Sequence, residues 1–154
     1  MKAKIYFKII LTMSIFALGA MTTVSCSKDE PEPYADYFGT WRDDSDCGQV
    51  TITANKLVYI EDNGNGYTLE NLTWTPITNS SGDYKTTHPT GYIIIGKLTT
   101  MSGYGPFKPD KSSDADIGET GIDWWYISTD KQSLMWGYWE SSDNEAAFGP
   151  YVKQ

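Results

Sequence analysis

The chain has 154 residues, with 12 Lys and Arg against 20 Asp and Glu for a formal net charge of −8, and it holds one His and two Cys. An acidic surplus of this size repels phosphate and excludes a basic nucleic-acid binder. Two Cys cannot make a disulfide scaffold, and a single long apolar stretch cannot make a polytopic membrane protein.

Taken in chain order, Lys2, Lys4 and Lys8 precede an apolar run over 9–21 and then small residues. This pattern predicts a secretory signal peptide over 1–25. Thr23-Val24-Ser25-Cys26 resembles the lipobox of bacterial lipoproteins, where the Cys thiol is diacylated before cleavage. The resemblance implies that Cys26 is lipidated and that the protein meets a membrane through that lipid. Residues 26–36 are charged and Pro-containing, cannot bury apolar area, and are expected to be a disordered tether. Their acids resemble the signals that send some lipoproteins to the outer face of the outer membrane, so the expected location is lipid-anchored at the cell surface. Without residues 1–25 the net charge becomes −11, and Cys47 is the only thiol left beside the lipidated one. No internal disulfide is then available, so the core must hold the fold.

From 37 to 154 the length argues for one domain. No stretch there keeps apolar residues at helical spacing for three turns, while turn clusters recur at 62–66, 79–83, 89–91, 102–106 and 129–131. Short strands between such clusters predict an all-β sandwich or barrel. The expected strands are 38–43, 49–53, 56–61, 67–74, 75–78 or 84–87, 91–100, 122–128, 133–140 and 149–153. Two hairpins are local: 56–61 with 67–74 through an Asn-Gly turn, and 122–128 with 133–140. Residues 101–121, poor in apolar side chains, are expected to form a mobile or functional loop.

Few residues suit catalysis. His88 lies in a turn-like Thr-His-Pro context, expected to be solvent-exposed, and no Gly-x-Ser-x-Gly elbow exists. Carboxylates flank Cys47 and would raise its thiol pKa. One His and one thiol cannot hold zinc, and the acidic loops at 43–46 and 110–119 lack the spacing of a calcium-binding EF-hand. No metal or cofactor is expected. Glu61, Glu70, Asp123 and Glu140 are borne on strands, where acids usually take the wet face, so hydrolysis is the least favoured reading and no enzyme is expected.

The feature above background is aromatic content: after residue 25 there are six Trp, ten Tyr and three Phe. Strand alternation directs Trp125 and Ile127 inward, together with Leu134, Trp136 and Tyr138. It leaves Trp124, Tyr126 and Trp139 outside as a possible contact surface. Aromatics also fill cross-strand positions for purely structural reasons, and that use is the commoner one.

Phe38-Gly39-Thr40-Trp41, opening the first strand of such a series, resembles the lipocalin-like or calycin domains of secreted bacterial lipoproteins. The resemblance implies an antiparallel up-and-down barrel of about eight strands over 37–154. It also implies structural roles for Gly39 and Trp41, with Trp41 plugging the floor and Lys153 as the basic side chain stacked on it. The expected function is non-enzymatic binding of a small apolar or carbohydrate ligand, with Trp74, Trp125, Trp136 and Tyr138 lining the site and Tyr92 near its mouth. The alternative is a solid-core barrel that contacts, or inhibits, a protein partner through its loops.

Overall fold

The computed structural model describes residues 31–43, 48–78, 84–141 and 144–154, apart from the side chains of residues 84 and 138–147. Cys26, Cys47 and the side chains of Tyr138, Trp139 and Glu140 lie outside the described residues. Eight antiparallel strands, each paired with its neighbours in sequence, close into an up-and-down barrel. They are β1 (Gly39–Asp43), β2 (Gly48–Ile52), β3 (Lys56–Glu61), β4 (Gly66–Pro76), β5 (Thr90–Ser102), β6 (Thr120–Ile127), β7 (Ser133–Ser141) and β8 (Asn144–Lys153). Closure is made by β1 and β8, which pair at Trp41 with Lys153 and at Arg42 with Val152.

Both expected hairpins form. In the first, the β3–β4 turn is closed by Glu61 N–H to Asn65 O and Gly64 N–H to Glu61 O. In the second, Trp125 faces Trp136 and Ile127 faces Leu134 across the ladder. The expected ninth strand is absent. Its first alternative is absorbed by β4, which runs on to Pro76, and its second, 84–87, is a one-turn helix α1 (Tyr84–Thr87). The extension of β4 passes a bulge at Asn71, whose φ of 58° shifts the register against β5 between Glu70 and Thr73.

Alternate residues of every strand fill the interior, among them Trp41, Val50, Leu57, Leu69, Ile94, Trp125 and Leu134, all fully buried. One end of the barrel is closed by rings. A 3₁₀ turn at Ala35–Tyr37 carries Tyr37 under the strands, its hydroxyl donating to Thr90 O at 2.8 Å. Tyr34 stacks on Trp74 at 4.5 Å and 4°, and Tyr92 meets Tyr37 edge-on at 5.4 Å. The barrel therefore begins before residue 37, since Tyr34, in the expected tether, packs against β4. Trp41 donates from Nε1 to Tyr37 O at 2.8 Å, and Lys153 Nζ lies 4.9 Å from the Trp41 ring. This is the stacking expected of these two residues.

A second apolar cluster lies on the outer face. Trp124 and Tyr126 do point outward, as alternation requires, but they are only 6% and 1% exposed and offer no free contact surface. Tyr126 lies flat over two glycines of the flanking strands: a Cβ at Gly91 would come within 2.4 Å of its ring, and one at Gly137 within 2.9 Å. Trp124 is covered by the segment that joins β5 to β6. That segment is stitched down rather than free, with Ile122 N–H to Phe107 O, Ala115 N–H to Pro106 O and Gly118 N–H to Leu98 O. Phe107 meets the Trp124 ring edge-on at 6.5 Å, and Lys111 Nζ stands 5.3 Å above it.

His88 also departs from expectation. It follows α1 and is 7% exposed rather than solvated, with Nδ1 3.0 Å from Thr87 Oγ1 and Nε2 3.1 Å from Ser133 Oγ.

Candidate functional site

The chain crosses the barrel so that Asp43, Gly48, Glu61, Gly66, Ser102 and Thr120 lie at the end opposite the Tyr37 plug. A half-open cavity of about 450 Å³ occupies that end. Its walls include Tyr59, Tyr151, Trp136 and Phe148 from the strands, and Tyr104 and residues 105–107 from the β5–β6 segment. This volume is in the range of small-ligand sites.

Asp123 lies on the cavity floor. It was expected on the wet face of β6, yet it is 2% exposed and shares the inward parity of Trp125, two residues on. A carboxylate in such a place needs donors, because an unpaired buried charge is costly. Four are supplied. Oδ2 accepts from Tyr67 Oη at 2.6 Å and from Trp125 Nε1 at 3.0 Å; Oδ1 accepts from Trp136 Nε1 at 2.5 Å and from the Trp124 amide at 3.0 Å. Burial pushes the Asp123 carboxyl up to about 6, and the four hydrogen bonds oppose that rise. Carboxylate is thus the main form at neutral pH. Burial, reinforced by the Asp123 charge, holds the Tyr67 phenol well above its ordinary value, so it stays a donor.

At the rim, Tyr104 Oη donates to Glu61 Oε1, and Asn63 Nδ2 donates to Glu61 Oε2 at 2.8 Å. The Tyr104 contact pins the β5–β6 segment to the end of β3. Burial first, and then the Glu61 contact, raise the Tyr104 phenol above its ordinary value. Tyr151 is raised chiefly by burial, and it shares the cavity wall with Tyr59, whose ring lies 5.9 Å from Trp136.

Of the residues expected to line a ligand site, Trp136 does so directly. Trp125 lies beneath the floor, fully buried, with its indole committed to Asp123. Trp74 and Tyr92 belong to the plug at the other end, so Tyr92 is not at the mouth. The backbone of Tyr138 pairs with Ala146 in β7–β8. Gly39 and Trp41 lie at the plugged end, Gly39 with a φ of 133° and in close approach to Lys153. Glu70 is on the outer surface, paired with Lys56 at 3.1 Å. Sequence reasoning missed Tyr59, Tyr104 and Tyr151 as wall residues. Tyr59 and Tyr151 were findable, since each lies on an expected strand in step with buried neighbours; Tyr104 lies in the segment read as a loop. Among the described residues no three His, Cys, Asp or Glu side chains converge as metal ligands.

No family model, curated protein or solved structure matches this chain.

Proposed function

We propose that the protein is a lipid-anchored, non-enzymatic binding protein of the outer membrane, exposed at the cell surface. In this reading a lipocalin-like barrel takes a small apolar or glycan ligand into the cavity at its unplugged end. The observation that carries the binding reading is the division of the interior: solid with rings from Tyr37 to Trp125, and hollow above Asp123, where about 450 Å³ is walled by Tyr59, Trp136 and Tyr151. A barrel of eight strands has room for one small ligand when side chains do not fill it. The described chain enters the barrel at the plugged end, and the cavity mouth is at the other.

The alternative, a partner-binding barrel acting through the 101–121 loop, has less in its favour. Of that loop's apolar residues, Phe107 and Ala115 are spent against its own strands, Tyr104 is held to Glu61, and Ile117 is left exposed.

Two experiments test the reading. Titration of the full chain with lipid, sterol and oligosaccharide panels should change Trp fluorescence and raise the melting temperature for at least one class, whereas a flat response across all of them rejects a small-ligand site. Labelled palmitate should be incorporated by the wild-type chain and not by Cys26→Ser; absence of label in both rejects the anchor.

A further inference from the structure

The wall chemistry of the cavity narrows what it takes. Among the described residues its lining holds three carboxylates, Glu61, Asp114 and Asp123, and no Lys, Arg or His. The whole chain adds to the same sign. A fatty acid or other anion would enter this cavity against a negative field, with no cation among its described lining residues. A metal ion is disfavoured as well, since the described acids do not converge as ligands.

The acceptor capacity of the buried carboxylate is already used. Each oxygen of Asp123 accepts two hydrogen bonds, so the group presents its charge to the cavity without a free lone pair. Both oxygens of Glu61 hold a donor as well. Glu61, with one donor on each oxygen, and Asp114 remain as acceptors in the lining, so a hydrogen-bonding cation would be received there and not at Asp123. Aromatic side chains make up much of the rest of the lining, among them Tyr59, Trp136 and Tyr151, with the Tyr59 and Trp136 rings 5.9 Å apart and inclined by 26°. Aromatic faces attract a cation through the ring quadrupole, most strongly out of water. Lys111 already uses the ring of Trp124, itself in the lining, in this way at 5.3 Å.

We infer that the cavity above Asp123 binds an organic cation carried on an apolar body. This rests on the small-ligand reading and specifies its ligand class. Asp123 and Glu61 supply charge, the rings of Tyr59, Trp136 and Tyr151 supply the cage, and the β5–β6 segment held by Tyr104 forms the roof.

The test uses the full chain and three probes of similar size: benzyltrimethylammonium, its neutral carbon isostere neopentylbenzene, and the anion benzenesulfonate. Binding is read by Trp fluorescence and calorimetry. The cation should bind about tenfold or more tighter than the isostere, the anion should not bind, and added salt should weaken only the cation. Glu61→Gln should lower affinity for the cation several-fold more than affinity for the isostere. If the isostere binds as tightly as the cation, or the anion binds best, the cation assignment is overturned while a small-ligand site stands. If none of the three binds and the lipid, sterol and oligosaccharide panels are also silent, the small-ligand reading itself falls. A cation preference that survives both Glu61→Gln and high salt would overturn the electrostatic part of the assignment.

Discussion

Trp136 donates from its indole nitrogen to Oδ1 of Asp123 at 2.5 Å, joining β7 to β6 through the barrel interior rather than along the backbone ladder. With Tyr67 from β4 and Trp125 from β6 on the other oxygen, one carboxylate ties three strands together and sets the level at which the solid part of the barrel stops. Four donors converge on two oxygens, so the group cannot be replaced by a near-isostere without leaving donors unmet.

Asp123→Asn should therefore destabilise the fold. Either orientation of the amide puts an NH₂ group against two donors, at a cost of about 2–4 kcal/mol for unsatisfied buried groups. Denaturant unfolding of the two proteins checks this; equal midpoints would show that the carboxylate is not the organising acceptor.

The pH dependence of stability follows from the same group and from His88, with opposite signs. The Asp123 carboxyl is raised to about 6 from an ordinary 3.8. Its folded state therefore binds a proton before the unfolded chain does, and its contribution, about 3 kcal/mol at full protonation, is present below pH 3.8 and lost as pH rises through 6. Burial lowers the His88 pKa from its ordinary 6.5. The unfolded chain then takes the proton first, and stability from His88 is lost as pH falls below 6.5. Melting temperatures from pH 7.5 to 4 should show that acid-side loss reduced in His88→Gln. A steeper loss in that variant would contradict the assignment.

The outer cluster depends on two missing Cβ atoms. Gly91→Ala should lift the Tyr126 ring off β5, since the new Cβ would meet it at 2.4 Å, and should cost about 1–3 kcal/mol as an overpacking change. In Tyr126→Ala the same glycine substitution should cost much less, so the double mutant is strongly non-additive. Additive losses in thermal unfolding would show that the ring does not lie on the glycine.

At the plugged end, Trp41 and Lys153 differ in what they hold. Trp41→Ala removes a fully buried ring and its hydrogen bond to Tyr37 O, a loss of about 3–5 kcal/mol. Lys153→Met keeps the stem and removes only the cation over the ring, a loss below about 1 kcal/mol. Chemical unfolding of both variants ranks the two; comparable losses would mean that the cation, not the packing, closes the floor.

Much of this architecture was legible because alternation is strict where the barrel is built. A slip of one residue in β6–β7 would turn Trp125 and Trp136 out of the core, so their register was fixed by burial alone. The strand after Trp74 was misjudged because the bulge at Asn71 interrupts the period-two pattern and hides the continuation of β4. Of the candidate site, Trp136 was legible as a lining residue, while Glu61 and Asp123 stood out only as strand-borne acids. An acid on an inward position contradicts the binary pattern, and the clue to Asp123 was its parity with Trp125 rather than its residue type. The cover over Trp124 and Tyr126 comes from Phe107, distant in sequence, and from glycines on the flanking strands, neither of which strand periodicity reports.

Among the described residues the β1–β8 ladder, with Trp41–Lys153 and Arg42–Val152 in register, is the shortest around the barrel. Its neighbour β1–β2 pairs over the whole of Gly39–Asp43. If this seam parts, both freed borders carry unused amides and carbonyls, and each is complementary to the other border of a second molecule. Opening there would let two molecules exchange their first or last strands, a domain-swapped dimer built from the native pairings.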